Sequence, residues 1–282
     1  MKTHKQFNIT ATPFNPDILS GLLWQLEIEG ITENENSLSI YADEKSKVSV
    51  IQISDILNSL KEQNLIESFS IDETSMEEKN WNEEWEKTID VIEVNEKIVI
   101  KPTFRDYTSK PGELVITIDP KMSFGTGEHE TTKLVLNLLD KYIDRGMRVL
   151  DVGSGTGVLS IAASLLGAKH VLGIDNDEWC LENGMENVGL NNVNDKVDIK
   201  LTEINGVKEE PFDLILANIN KHILVDIADE IYQFTKSSRK TILSGLLIED
   251  KTDIVELYTS KGFSLIKEKT LGEWIALVFQ KR

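Results

Sequence analysis

Three glycines two residues apart, in Arg148-Val-Leu-Asp151-Val-Gly153-Ser-Gly155-Thr-Gly157-Val-Leu-Ser160, lie between an apolar strand-like run and an apolar helix-like one. Glycine lets the backbone come close to a ligand, and a helix that starts there offers unpaired amides and a positive end. The spacing sorts the ligands. A dinucleotide loop wants glycine at relative positions one, three and six, but the sixth position here is Val158 and the third glycine falls early. A phosphate-binding loop would need Gly-Lys-Ser/Thr, which is absent.

The next strand-like run ends at Asp175, about 20 residues on, where an acid accepts hydrogen bonds from ribose hydroxyls. A strand-end Asp can also cap the following helix, and Asp177 is better placed for that. Asn218 closes Phe212-Asp-Leu-Ile-Leu-Ala-Asn218-Ile-Asn220 at what would be the carboxyl edge of the same sheet, where ligands lie in this architecture, although Asn there is also a common turn residue. Upstream runs Ser123-Phe124-Gly125-Thr-Gly-Glu128-His129-Glu130-Thr131-Thr132, a small-residue loop opening into a helix near Thr131 and able to close over a ligand. His129, flanked by two acids, reads as a loop hydrogen-bonding group rather than a base. Trp81 and Trp85, four apart, read as anchors of a helix, and Cys180 as a buried or half-buried small residue. Histidines at 4, 129, 170 and 222 and a single cysteine give no metal-ligand spacing and no disulfide, which predicts a metal-free protein of a reducing cytoplasm.

These residues need a scaffold. From Val91 onward, strand-like runs at Arg148–Asp151, Val171–Asp175, Val197–Leu201, Phe212–Ala217 and Thr241–Ser244 alternate with helical segments, which predicts a doubly wound parallel sheet. Phe263–Lys269 and Glu273–Gln280, joined by a short loop with Gly272, predict an antiparallel hairpin at one edge. A β-rich piece, Lys97–Lys101 and Leu114–Ile118, precedes the covering loop. Residues 1–75 predict a smaller βαββαβ, ferredoxin-like unit. It comprises a strand at Lys5–Thr10, a helix with Ile18, Leu19, Leu22, Leu23 and Leu26 on one face, strands at Leu38–Ala42 and Val48–Ile53, a helix capped by Ser54, and a strand at Ser68–Asp72. An acid-rich helix over 76–90 would link it to the domain at 91–282.

The chain has 282 residues and a net charge of −18, of which residues 1–90 hold seven basic and eighteen acidic side chains. Such a surface repels phosphate backbones and anionic lipid and suits a basic protein, so neither nucleic acid nor membrane is expected as a partner.

The Asp-x-Gly-x-Gly-x-Gly run resembles class I S-adenosylmethionine-dependent methyltransferases. With Trp81-Asn-Glu-Glu-Trp85, Phe124–Thr132 and Ala217–Ile219 it resembles the methyltransferases of ribosomal protein L11, over most of residues 76–282. The resemblance implies a seven-stranded Rossmann-like sheet, S-adenosylmethionine without a metal, and a monomer that methylates the N-terminal α-amine and lysine ε-amines of L11, up to trimethylation. It implies cofactor contacts at Phe124, Gly125, Thr132, Gly153, Gly155, Gly157, Asp175 and Asn218, with Asn218 also orienting the acceptor. The chain departs from the family at Glu128 and Glu130, where Thr and Pro are usual, and losing the proline frees a backbone angle in the loop. Asn-Ile-Asn replaces the Asn-Pro-Pro-aromatic of enzymes that methylate planar amides or bases. An NAD-dependent oxidoreductase, disfavoured by Val158, and a non-catalytic cofactor-binding module are the readings from other classes.

Overall fold

In the first of two units, Phe7 and Ile9 alternate with polar neighbours along one strand and bury their side chains fully, the period-two pattern of a sheet with one face covered. The computed structural model describes residues 3–77, 89–121 and 124–282, and the chain divides into Met1–Glu86 and Lys87–Arg282. The first unit runs β1 (Thr3–Thr12), α1 (Pro16–Leu23), β2 (Gly30–Asn34), β3 (Ser37–Asp43), α2 (Val50–Glu62) and β4 (Ser68–Glu77). Its sheet has the order β2-β3-β1-β4, every neighbouring pair antiparallel. Leu19, Leu23, Ile53, Leu57 and Leu60 of the two helices fill the covered face.

The βαββαβ order holds, but two boundaries move. Val48–Ile53 is not a strand: Ser49, not Ser54, caps α2 by accepting a bond from the Gln52 amide at 3.5 Å. Helical spacing then buries Ile53, Leu57 and Leu60 and leaves Ile51 in solvent. The strand missing from the sequence reading is β2, whose burial is too shallow to show alternation. The expected linker helix lies outside the described residues over 78–88, and its first two positions, Met76 and Glu77, belong to β4.

The second unit opens with a three-stranded sheet of β5 (Ile92–Glu93), β6 (Ile98–Pro102) and β7 (Leu114–Ile118). There follow α3 (Glu130–Tyr142), β8 (Arg148–Val152), α4 (Val158–Leu165), β9 (His170–Asp175), α5 (Glu178–Leu190), β10 (Val197–Leu201) and β11 (Phe212–Asn218). Then come α6 (Lys221–Asp226), α7 (Ala228–Phe234), β12 (Thr235–Leu247), α8 (Lys251–Ser260), β13 (Phe263–Leu271) and β14 (Trp274–Lys281). Seven strands form one sheet in the order β10-β9-β8-β11-β12-β14-β13, with β10 to β12 parallel and β14 antiparallel to both neighbours. The hairpin thus closes the edge with its last strand inserted. Both faces are covered, one by a core including Val149, Leu214 and Ile242 with α3 and α4, the other by Leu150, Ile215 and Leu243 with α6, α7 and α8. Covering on both faces explains why the parallel strands read as unbroken apolar runs. Strand order reverses between β8 and β11, and the crevice beyond their carboxyl ends is where such sheets bind ligands. Among the described residues no helix is long and apolar enough to cross a membrane.

Candidate active site at the switch point

Beyond β8 the chain turns through three glycines with φ of +74, +51 and +78° at 153, 155 and 157, the left-handed region that side chains other than glycine rarely occupy. Gly153 and Ser154 donate to the Ile174 carbonyl at 2.9 and 3.0 Å, which ties the turn to β9. The Gly155 amide donates to Asp175 Oδ2 at 2.9 Å, and Asp175 Oδ1 accepts from the Asp177 amide at 3.1 Å. Asp175 therefore positions the turn as well as facing the crevice. Asp177 is the cap of α5, accepting from the Trp179 amide, and Gly157 occupies the cap position of α4. A Cβ on Gly153 would fall onto Ile219 Cγ2, so the turn and the segment after β11 meet in van der Waals contact.

The covering loop is latched to this turn by its backbone. Thr156 donates from its amide to the Phe124 carbonyl at 3.0 Å and from its hydroxyl to the Gly125 carbonyl at 2.7 Å. A Cβ on Gly155 would collide with that Phe124 oxygen. His129 caps α3, its Nδ1 accepting from the Thr131 amide at 3.3 Å and lying 2.8 Å from the Thr131 hydroxyl. Its ring sits between Phe124 at 5.4 Å and Trp274 at 4.7 Å. Glu130, where the family has proline, is the first residue of α3. A carboxylate there complements the helix dipole, and the position is one that proline also suits.

A cavity of about 360 Å³ opens at the carboxyl ends of β8, β9 and β11, lined by Gly153, Asp175, Thr202, Ile204, Ile219 and Glu230 among others. Of the residues expected at the site, Gly153 and Asp175 line it, and Gly155 and Gly157 shape the turn behind it. Asn218, the last residue of β11, is not among the lining residues; it is 8% exposed, and its Oδ1 is buried without a hydrogen-bond donor. Thr132 is fully buried in α3 and its hydroxyl also lacks a partner. Phe124 and Gly125 line a separate recess with Glu128, His129 and Lys133. Asp151 is fully buried beneath the turn and accepts from the Ser160 hydroxyl at 2.7 Å. Desolvation pushes its carboxyl up to about 7, with the Asp175 charge adding to the rise and the Ser160 bond opposing it. Cys180 is half-buried.

One set of positioning residues escaped the sequence reading. Asn183 and Asn187 of α5 and Asn191, its C-cap, recur every fourth residue. Asn191 accepts from the Thr117 amide at 2.9 Å and donates to its carbonyl at 2.7 Å. Asn187 accepts from the Asp119 amide at 2.8 Å and donates to the Thr156 carbonyl at 3.0 Å, and Asn183 donates to the Asp119 carbonyl at 3.1 Å. This ladder joins the segment leading into the covering loop to the glycine turn. The signal was the spacing: three amides on one helical face, where polar groups ordinarily face water.

The chain is similar to known proteins. The family model for ribosomal protein L11 methyltransferase (PrmA) matches residues 22–282. The ribosomal protein L11 methyltransferase of Acetivibrio thermocellus is 38% identical over 205 residues, 73% of this chain and 65% of that protein. Against that relative the chain spans just under two thirds of its length. The one from Clostridium perfringens (strain 13) is 31% identical over 263 residues, 91% of this chain and 84% of its own. Among solved structures, the ribosomal protein L11 methylase of Lactobacillus delbrueckii subsp. bulgaricus superposes with a TM-score of 0.65 at 30% identity, covering 69% of this chain and all of its own.

Proposed function

The chain belongs to the ribosomal protein L11 methyltransferase family, and on that footing we propose that it is an S-adenosylmethionine-dependent enzyme that methylates amines of ribosomal protein L11, the N-terminal α-amine and lysine ε-amines. The observation that carries this reading is the cavity beyond β8, with Gly153 and Asp175 in its wall; Asn218, whose Oδ1 is buried without a donor, ends the neighbouring strand β11.

The residues suit the cofactor. The bare backbone at Gly153 admits close approach, the Asp175 carboxylate has lone pairs to spare for ribose hydroxyls, and Asn218 has an unused buried acceptor. Bound here, the cofactor supplies a methyl group on a sulfonium, an electrophile that needs no further activation. The protein's work is therefore alignment and exclusion of water. A protonated amine has no lone pair, and a lysine with a pKa near ~10.4 has to lose its proton first. Two groups that tempt as bases are engaged elsewhere: His129 Nδ1 holds Thr131, and Asp151 is sealed below the turn with Ser160. The proton leaves to solvent as the amine is desolvated, and Asn218 Oδ1 accepts an N–H from the neutral amine and orients its lone pair. Asn218-Ile219-Asn220, lacking the flat clamp that suits planar nitrogens, leaves a tetrahedral amine free to rotate for repeated methylation. Residues 1–75, with the linker after them, carry most of the excess acid and act as the recognition domain for the basic substrate.

Incubation with methyl-labelled cofactor and purified L11, read by intact-mass and peptide spectrometry, is expected to add methyl groups in steps of 14 Da at amines. Labelling absent, or confined to other side chains, would overturn the reading. Asp175→Ala is expected to weaken S-adenosylhomocysteine binding at least tenfold in calorimetry, the scale of one charged hydrogen bond of about 1.5–3 kcal/mol.

A further inference from the structure

Part of the cavity lining takes no part in the roles above. There Ile223 of α6, Ile227 at the junction of the two helices and Glu230 of α7 join Ile204 and Ile219 in an isoleucine-rich wall. Glu230 Oε2 is buried with no hydrogen-bond partner. The other carboxylates of the lining are provided for: Asp175 accepts from two amides, while Glu203 and Asp226 are exposed and reach water. The neighbouring Asp229 is held by Lys261 at 2.6 Å. A carboxylate oxygen deprived of water and of a donor is costly, and a ligand that brings an N–H to it recovers that cost.

An isoleucine-lined slot with one buried, donorless oxygen on a half-buried carboxylate fits a flat heteroaromatic ring bearing an amino group. On the cofactor reading above, only the adenine of S-adenosylmethionine has that form. The ribose offers hydroxyls, and the methionine ammonium would be costly among isoleucines and has to stay with the sulfonium beside Asn218. We propose that Glu230 receives the 6-amino group of the adenine and is a specificity-determining residue for the cofactor.

Calorimetry on the full chain tests this with two ligands, S-adenosylhomocysteine and its analogue carrying hydrogen in place of the 6-amino group. The wild type is expected to prefer the amino ligand by about ten- to a hundredfold, the range of a charge-assisted hydrogen bond. In Glu230→Leu the preference falls to within about threefold, chiefly through weaker binding of the amino ligand; in Glu230→Gln, which keeps shape and one neutral acceptor, it is intermediate. A wild-type preference retained in both variants, or no preference in the wild type, overturns the assignment. Failure of the wild type to bind either ligand would instead overturn the cofactor reading beneath it.

Discussion

Replacing Asp151 by asparagine tests whether the buried acid under the glycine turn has the environment that the structure gives it. The side chain is fully buried, its Oδ2 has one donor in Ser160 and its Oδ1 has none. Burial, with Asp175 adding to it, lifts the carboxyl from 3.8 to about 7. Between about pH 4 and pH 7 the folded protein keeps a proton on Asp151 that the unfolded chain has released, so this group's contribution is fully present below that window and falls as pH rises through it. Roughly three units at ~1.4 kcal/mol each amount to about 4 kcal/mol over the window. Asparagine keeps the shape and the acceptor for Ser160 but does not titrate. Urea unfolding of both proteins at pH 4.5, 6, 7 and 8.5 therefore yields a stability difference that moves toward Asp151→Asn with rising pH, by up to about 4 kcal/mol. Groups that do not interact with Asp151 cancel in that difference, and Asp175 is the charged neighbour that does not. A difference constant to within about 0.5 kcal/mol would refute the account, since it would mean that Asp151 titrates alike in the folded and unfolded chains. Asp175→Asn supplies an internal check: with its charge gone, the upper edge of the window moves to lower pH.

Three other perturbations probe the positioning of the site. Gly155→Ala forces a side chain into positive φ and against the Phe124 carbonyl, so it is expected to break the Thr156 latches and cost about 1–3 kcal/mol in thermal or chemical unfolding, with weaker cofactor binding in calorimetry. Asn187→Leu strands the Asp119 amide and the Thr156 carbonyl; at about 1–3 kcal/mol for each buried group left unpaired, a clear drop in unfolding midpoint is expected, and an unchanged midpoint would remove the ladder from the argument. A chain without residues 1–86 is expected to bind S-adenosylhomocysteine like the full protein but to lose methylation of L11, measured by label incorporation; an undiminished rate would dismiss the recognition role.

What could be read ahead of the structure was whatever a short stretch of chain decides by itself. The glycine turn is such a case: positive φ at 153, 155 and 157 is a local demand that glycine alone meets without strain, so the spacing and the conformation are nearly one fact. Asp175 followed because a strand of fixed rise and one helix set its distance from that turn. The Val48–Ile53 stretch failed for the complementary reason. Its β-branched residues satisfy a strand pattern locally, and only the core that takes up Ile53, Leu57 and Leu60 settles the helix, with Ser49 rather than Ser54 as its cap. The asparagine ladder and Glu230 lie further out of reach. An asparagine on a helix or a glutamate four residues beyond Asp226 is ordinary surface chemistry until tertiary structure removes the water. Whether a buried polar atom then has a partner within the chain, as Asn187 has, or lacks one, as Glu230 Oε2 and Asn218 Oδ1 do, depends on segments far apart in sequence. The two outcomes call for different experiments. A satisfied group is tested by stability, because its bonds form on folding; an unsatisfied one at a cavity is tested by ligand discrimination, because the missing donor has to come from the ligand.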